Sequence, residues 1–234
     1  MDIQAMHIPN GFIDGSVSAA FAAIAFAAIT FCALRARRDL DERLVPMAGL
    51  VAAFIFAVQM LNFWVLPGVS GHLLGGALAA LLVGPWVGAL CVTVVLAVQA
   101  LVIADGGVTA LGLNVFNMAV LGTAVGYLVI TALLRVRVPL FATAVIASVV
   151  SVLVAALGFV LEYALGGGGG VSVGAMFAAM SGSHLLIGLG EGLITAMTVT
   201  AVARTRPDLV YALRRRPVES SSDGHVAKEA PHVA

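Results

Sequence analysis

The chain has 234 residues, of which 61% are hydrophobic and 10% are charged, and its formal net charge at pH 7 is zero. A soluble globular domain is roughly 45–50% apolar and about 25% charged, so the composition excludes an ordinary soluble domain and indicates a polytopic membrane protein. The zero net charge excludes the basic surface typical of nucleic-acid-binding proteins.

Seven apolar segments are predicted to form helices that cross a membrane, so the predicted fold class is all-α. A crossing helix needs roughly 20 residues, and every segment except the third reaches about that length. The glycine run at 166–170 is predicted to be a flexible link. The segments are 16–34, 46–66, 72–83, 86–104, 114–134, 140–165 and a last one that ends near residue 203.

Arginine clusters follow the first, fifth and seventh segments and set the predicted orientation in the cell membrane. Cytoplasmic loops carry an excess of Lys and Arg, so the N-terminus is predicted to lie outside and the C-terminus inside. His72 then lies on the same outer side as the residues before the first segment. The clusters are Arg35, Arg37, Arg38 and Arg43, then Arg135 and Arg137, then Arg204 and Arg206.

Three parts of the chain are therefore expected. They are an N-terminal segment at 1–15, a transmembrane bundle at 16–206 and a cytoplasmic tail at 207–234. The end of the tail is rich in Ser, Asp, His and Pro and poor in large apolar residues, so the tail is predicted to be partly disordered.

The polar stretch at 6–15 begins with Met6 and His7 and is the candidate metal-binding segment. If the mature chain begins at Met6, its α-amine, the amide nitrogen of His7 and the imidazole Nδ1 can close two fused chelate rings on one ion. His72 can supply a fourth nitrogen. Such nitrogen coordination suits Ni(II) or Cu(II), with Co(II) as a further candidate. The alternative is that His7 simply lies in a polar N-terminal loop.

The five residues before Met6 would block this use of the α-amine. They contain neither a basic region nor an apolar core, so they do not form a secretory signal. We expect residues 1–5 to be absent or removed, either because translation starts at Met6 or because a longer signal is cleaved. Retention of the extension is the alternative.

Four motifs, in order along the chain, resemble those of the CbiM/NikM family. This family comprises the substrate-binding membrane components of energy-coupling factor transporters for cobalt or nickel. The resemblance runs from about residue 6 to about residue 204, with Asn10 at a position where the family usually has Asp. The motifs are MHIPNGF at 6–12, SGHLLGG at 70–76, QAL at 99–101 with ADGG at 104–107, and NVFNM at 114–118.

The resemblance implies roles for several further residues and for partner proteins. Co(II) or Ni(II) would be the transported substrate, held by Met6, His7 and His72. The implied partners are a transmembrane coupling protein, ATPase subunits and, as a further candidate, a small auxiliary membrane protein. The residues implied to form hydrogen bonds around the metal are Ser70, Gln99, Asn114 and Asn117.

The chain itself is not expected to be an enzyme. It lacks the Gly-x-x-x-x-Gly-Lys-Ser/Thr phosphate loop, so ATP hydrolysis is expected from a partner ATPase. The competing function is a stand-alone divalent-metal channel or secondary carrier, which would need charged residues along a path through the membrane. Glu191 is the main candidate for such a residue.

Polar residues within the apolar segments leave two interpretations open. His184 and Glu191 share one helix face with Gly188 and Thr195. They form either a stripe that couples substrate binding to partner contact or a helix-packing hydrogen bond. Glu162, near an outer helix end, is expected to reach towards the membrane surface.

A stripe of small residues lies on the first predicted helix. Small residues at four-residue spacing allow close helix contact, and this contact is expected to be intramolecular. The stripe consists of Ala19, Ala23 and Ala27.

Overall fold

The computed structural model describes residues 7–39, 42, 44–61, 63–66 and 69–214. In this part of the chain, seven main helices follow one another, with a short hairpin between the second and third. The helices are α1 Gly15–Asp39, α2 Leu44–Gln59, α3 Gly76–Val83, α4 Pro85–Ile103, α5 Leu111–Arg135, α6 Leu140–Gly166 and α7 Val173–Thr205. A 3-10 turn at Pro207–Leu209 and a helical turn at Tyr211–Arg214 follow α7.

Within the described residues, five helices are long and apolar enough to cross a membrane, namely α1, α4, α5, α6 and α7. The predicted class of a helical, multi-pass membrane protein is therefore confirmed. α2 is apolar but has 16 residues, and α3 has eight. The count of seven crossings and the orientation remain predictions.

The second predicted segment, 46–66, was too long. Helix α2 ends at Gln59, and the chain then forms an antiparallel hairpin of β1 (Phe63–Leu66) and β2 (Val69–Gly71). The β-branched and aromatic residues at 63–66 fit a strand as well as a helix. This hairpin is the departure from the all-α prediction, and it brings the chain back to the bundle immediately before His72.

Helix α3 lies at the centre of the bundle, and all of its residues are buried. Two glycines permit this position. A Cβ on Gly76 would lie 2.9 Å from the backbone of Gly122, and a Cβ on Gly126 would lie 3.1 Å from the Cα of Ala77. The apolar run predicted as a short third crossing therefore forms a helix that packs backbone to backbone against α5 inside the bundle.

Two helices contain π-helical segments, at Gln99–Ile103 at the end of α4 and at Val115–Gly122 within α5. The wider i→i+5 turns shift the phase of the helix and are frequent at functional sites. They accompany three buried amide side chains, those of Gln99, Asn114 and Asn117.

The alanine stripe on α1 does not pack inside the chain as expected. Ala19, Ala23 and Ala27 are exposed, whereas the buried face of α1 is formed by Ser18, Phe21, Ala25, Cys32 and Ala36. The small-residue face is thus turned outwards, and the expectation of an intramolecular contact was wrong.

Candidate metal site

The N-terminal segment is inserted into the bundle and is held by backbone-directed hydrogen bonds. The Ile8 amide donates to Asn114 Oδ1 at 3.2 Å, and Asn114 Nδ2 donates to the Ile8 carbonyl at 3.5 Å. The Gly107 amide donates to the same carbonyl at 2.9 Å. These bonds fix the residue next to His7 from two sides, one on α5 and one on the loop between α4 and α5.

The α4–α5 loop needs its glycines because the N-terminal segment lies directly against it. Gly106 has φ +87, and a Cβ there would lie 2.7 Å from the Cβ of His7. A Cβ on Gly107 would lie 2.4 Å from the backbone nitrogen of Asn10. The Asn10 Oδ1 also accepts bonds from Thr109, at 3.0 Å from its amide and 2.7 Å from its hydroxyl.

The far end of the segment is attached to the loop between α6 and α7. The Asp14 amide donates to the Gly166 carbonyl at 2.6 Å, next to a β-bridge between Ile13 and Gly167. The ring of Phe12 stacks on that of Phe159, with centroids 5.9 Å apart. The glycine run predicted to be a flexible link is therefore joined to the N-terminal segment at its first two residues, Gly166 and Gly167.

Asp14 starts α1 by accepting a hydrogen bond from the Ser16 amide at 2.7 Å. A side-chain carboxylate in this position satisfies amides that have no partner within the first turn. Hydrogen bonds from the Ser16 hydroxyl and then from its amide lower the pKa of Asp14 below its ordinary value.

His7, at the start of this N-terminal segment, lies next to His72. Their ring centroids are 4.8 Å apart, and each residue is only 7% exposed. Neither ring nitrogen of His7 has a hydrogen-bond partner among the described residues, and its Nδ1 lies 3.4 Å from Asp105 Oδ2. Two imidazoles bound side by side to one ion at about 2.0–2.1 Å would have ring centres roughly 4.5–5 Å apart. The observed spacing would allow both rings to bind one ion.

The hydrogen bonding of His72 selects one tautomer. Its Nδ1 lies 2.8 Å from the Leu73 carbonyl oxygen. A carbonyl oxygen can only accept, so Nδ1 carries the proton and Nε2 carries the lone pair. A hydrogen bond of this kind to the nitrogen away from the metal is the usual way in which proteins orient a histidine ligand.

The segment that follows His72 is held by side chains from α7 and α2, and a side chain of α4 supports the one from α2. Glu191 of α7 accepts from the amides of Leu74 and Gly75, at 2.7 and 3.2 Å. Gln59 of α2 donates to the Leu74 carbonyl at 2.9 Å, and Gln99 of α4 donates to Gln59 at 2.9 Å. Gln59, Gln99 and Glu191 are completely buried. Gln99 therefore acts through Gln59 and the backbone rather than by touching a histidine.

A second buried pair lies between α5 and α6. Asn117 Nδ2 donates to Glu162 Oε2 at 2.7 Å, and Glu162 is completely buried. The expectation that Glu162 reaches the membrane surface was therefore wrong. A Cβ on Gly158 would lie only 2.3 Å from Asn117 Oδ1, so a glycine is required beside this amide.

A cavity of about 300 Å³ opens beside the two histidines. Its wall includes Asn114 and Asn117, and it continues along α7 past Ser183 and His184. Five of the residues singled out from the sequence line this cavity, namely His7, His72, Asn114, Asn117 and His184. Glu191 and Gln99 are not among its lining residues; Glu191 binds the segment after His72 directly, and Gln99 binds Gln59.

The described side chains do not by themselves complete a metal site. Among the described residues, no group of three or more His, Cys, Asp or Glu side chains is arranged to hold a metal ion. Backbone nitrogens would have to complete the donor set, as the chelate hypothesis requires. Met6 lies outside the described residues, and Ser70 is described only as part of strand β2.

Three residues of this region were not predicted as site residues. Gln59 lies inside an apolar segment, where an isolated amide is itself a signal of a buried contact. Asp105 was noted only as part of a motif, although its carboxylate is the group beside His7. Glu162 was assigned to the membrane surface because the sequence does not reveal its partner Asn117.

Fold and site together define a polytopic membrane protein whose N-terminal segment is inserted between the helices and places His7 next to the buried His72. The profile of the CbiM family, described as the cobalt uptake substrate-specific transmembrane region, matches residues 7–209. The chain belongs to this family.

Relatives of known name and structure agree with this assignment. A protein of Archaeoglobus fulgidus named "Putative fused nickel transport protein NikMN" is 42% identical over 205 residues, which are 88% of this chain and 68% of that protein. The cobalt transport protein CbiM of Sorangium cellulosum is 34% identical over 221 residues, covering 89% and 96%. A crystal structure of a truncated transition metal transporter matches with a TM-score of 0.79 and 28% identity, covering 86% of this chain and 99% of that one.

Proposed function

We propose that the chain is the substrate-specific metal-binding component of an ATP-driven importer of Co(II) or Ni(II). The main observation behind the proposal is that His7 and His72 are both buried, with ring centroids 4.8 Å apart. Hydrogen bonds to Ile8 hold the N-terminal segment in this position. The family and the names of the relatives support the class of substrate.

The proposed ligands are the α-amine of Met6, the amide nitrogen and Nδ1 of His7, and Nε2 of His72. The His72 tautomer supports its part, because the Leu73 carbonyl leaves the lone pair on Nε2. Asp105 adds a negative charge next to Nδ1 of His7. This charge lowers the cost of placing a divalent cation in a buried site. Asn114 would position His7 through Ile8, and Asn117 would shape the cavity wall.

We propose seven crossings, with the N-terminus outside the cell and the C-terminus in the cytoplasm. The arginine clusters support this orientation, and α2, at 16 residues, would span roughly 24 Å at 1.5 Å per residue. The parts would be the metal-binding segment 1–15, the bundle 16–206 and the cytoplasmic tail 207–234. Residues 1–6 and 215–234 lie outside the described residues.

The proposed partners are a transmembrane coupling protein, ATPase subunits and a small auxiliary membrane protein. The absence of a phosphate-binding loop from the sequence supports the need for a separate ATPase. The outward alanine face of α1 gives a coupling protein a surface on which helices can approach closely. The proposal rests on family membership and this surface together.

The experiment compares two forms of the purified protein by calorimetric titration with Ni(II) and Co(II). A form that begins at Met6 is expected to bind much more tightly than a form that retains Met1 to Ala5, because the α-amine is a ligand only in the first. His7→Ala and His72→Ala are each expected to abolish tight binding. Affinity should fall as pH is lowered, because the ligands must lose protons.

Equal affinity of the two forms, with the extension verified by mass spectrometry, would remove the α-amine from the site. Tight binding that survives both histidine substitutions would contradict the whole proposal. Leu185→Ala, at a half-exposed position on α7, is the control for nonspecific effects of mutation.

A further inference from the structure

The cavity beside the two histidines contains a second pair of metal-binding side chains. Met180 and His184 lie one helical turn apart on α7, and both line the cavity that reaches His7 and His72. A thioether and an imidazole are donors that favour late transition-metal ions over Mg²⁺ or Ca²⁺. Neither side chain is needed for the four-nitrogen site proposed above.

The hydrogen bonds of His184 prepare one nitrogen for an ion. Its Nδ1 lies 2.9 Å from the Met180 carbonyl oxygen and 3.2 Å from Ser183 Oγ. The Ser183 hydroxyl donates to the Ala179 carbonyl at 2.8 Å, so its oxygen is left to accept from His184. Both neighbours of Nδ1 are therefore acceptors. The proton lies on Nδ1, and Nε2 carries the lone pair.

The cavity is larger than a bare ion needs. Its volume is about 300 Å³, whereas an ion with six waters occupies roughly 200 Å³ at about 30 Å³ per water. An ion can therefore be present with its first hydration shell. A single imidazole can replace one of these waters before the ion reaches the histidine pair.

We propose that His184 and Met180 form a capture site that binds the hydrated ion weakly and passes it to His7 and His72. The inference rests on the proposed function, since it concerns the path to that site. Two donors suffice here, because a site along a path must bind weakly enough for the ion to leave. The chemical class of ligand is a hydrated late transition-metal dication.

The test is stopped-flow binding of Co(II) to detergent-solubilised protein that begins at Met6, followed by d–d absorbance. His184→Asn retains an amide N–H for the Met180 carbonyl but has no counterpart of Nε2. Met180→Leu conserves volume and removes the sulfur. Each variant is expected to lower the association and dissociation rate constants several-fold and by the same factor, leaving Kd unchanged. A side chain that the ion passes on its way in and on its way out lowers the barrier to both, so its loss slows association and dissociation by the same factor.

Leu185→Ala is the matched control, next to His184 but half-exposed on the outer side of α7, and it should leave both rates unchanged. Unaltered rates in both His184→Asn and Met180→Leu would overturn the capture site. A raised Kd with an unchanged association rate would also overturn it, because His184 would then be a ligand of the final site. Failure of the unsubstituted protein to bind either Co(II) or Ni(II) would instead overturn the proposed function.

Discussion

At the scale of single residues, the candidate site depends on glycines as much as on histidines. Gly106 and Gly107 allow the backbone of the N-terminal segment to lie against the α4–α5 loop, and Gly158 makes room for Asn117. These positions carry no chemistry of their own. They determine where His7 can lie, and they are therefore sensitive sites for substitution.

Gly107→Ala is predicted to weaken metal binding strongly. Its Cβ would lie 2.4 Å from the backbone nitrogen of Asn10, so the N-terminal segment must move. Overpacking of this kind typically costs about 1–3 kcal/mol. Calorimetric titration with Ni(II) and thermal unfolding in detergent are the measurements.

Gly49→Ala provides the matched control, because a Cβ at Gly49 meets nothing within 4 Å. It should bind metal like the unsubstituted protein. If Gly107→Ala bound with the same affinity as Gly49→Ala, the clamped segment would not be needed for the site.

At the scale of elements, hydrogen bonds join α7 directly to the segment after His72. Glu191 accepts two backbone hydrogen bonds from that segment, whose carbonyl at Leu74 is held from α2. The two interpretations of Glu191, a coupling stripe and a packing hydrogen bond, are not exclusive in this geometry. Because Glu191 binds the amide of Leu74, a shift of α7 would be transmitted to His72 through Leu74 and Leu73.

Glu191→Ala is predicted to lower metal affinity by about 10–100-fold, the range typical of residues that orient a ligand. The substitution leaves the amides of Leu74 and Gly75 without their acceptor. Glu191→Gln retains one acceptor oxygen, and its affinity should be intermediate. Ni(II) titration measures both effects.

Thr195→Val tests whether any change on this face of α7 has the same result. Thr195 is also completely buried, one turn further along the helix. The Ni(II) affinity of Thr195→Val should be close to that of the unsubstituted protein. An equal loss in Thr195→Val and Glu191→Ala would mean that general packing of α7, rather than the carboxylate, is responsible.

At the scale of the whole molecule, buried polar groups are paired inside an apolar core, and large apolar side chains also face outwards. Buried amides and carboxylates join α2 to α4, α5 to α6, and α7 to the segment after His72, while large apolar residues of α1 and α7 are exposed. A membrane protein shows this distribution because lipid cannot satisfy polar groups.

The predicted orientation leads to a labelling experiment. In a background with Cys32 and Cys91 replaced, a cysteine at Gly168 should react with a membrane-impermeant maleimide added to intact cells, and one at Arg37 should not. Gly168 lies in the α6–α7 loop, and among the described residues a Cβ there would meet only the Phe12 carbonyl oxygen, at 4.0 Å. The opposite pattern would reverse the proposed orientation.

The last prediction concerns ATP hydrolysis, which is expected from a separate ATPase. The purified chain should bind metal without hydrolysing ATP, because its sequence has no phosphate-binding loop. Accumulation of ⁶³Ni in cells should require co-expression of a partner ATPase. Accumulation by this chain in a host without such an ATPase would favour the stand-alone carrier.

The class of fold could be predicted from the sequence because long apolar runs have few physical alternatives. Finer features could not. Whether residues 63–66 continue α2 or form a strand depends on the partner strand at Val69–Gly71, which local propensity does not reveal. The burial of every residue of α3 could not be predicted either, since a helix surrounded by protein and one that faces lipid have the same apolar composition.

The two histidines were identified because histidine is scarce and both lie beside breaks in the apolar pattern. Their supporting residues were harder to predict. A regular 3.6-residue period fails across the π-helical segment at Val115–Gly122, so the inward direction of Asn117 and its bond to Glu162 could not be anticipated. Gln99 was named as a metal neighbour, yet it acts one step away, through Gln59.

The attachment of the N-terminal segment also has a consequence for the order in which the protein matures. Ile8 is held by Asn114, 106 residues later in the chain, and Asp14 by Gly166. The N-terminal segment therefore receives these contacts only after most of the bundle has been synthesised. The histidine pair assembles late in biogenesis, so an unfinished or misinserted chain lacks the complete site.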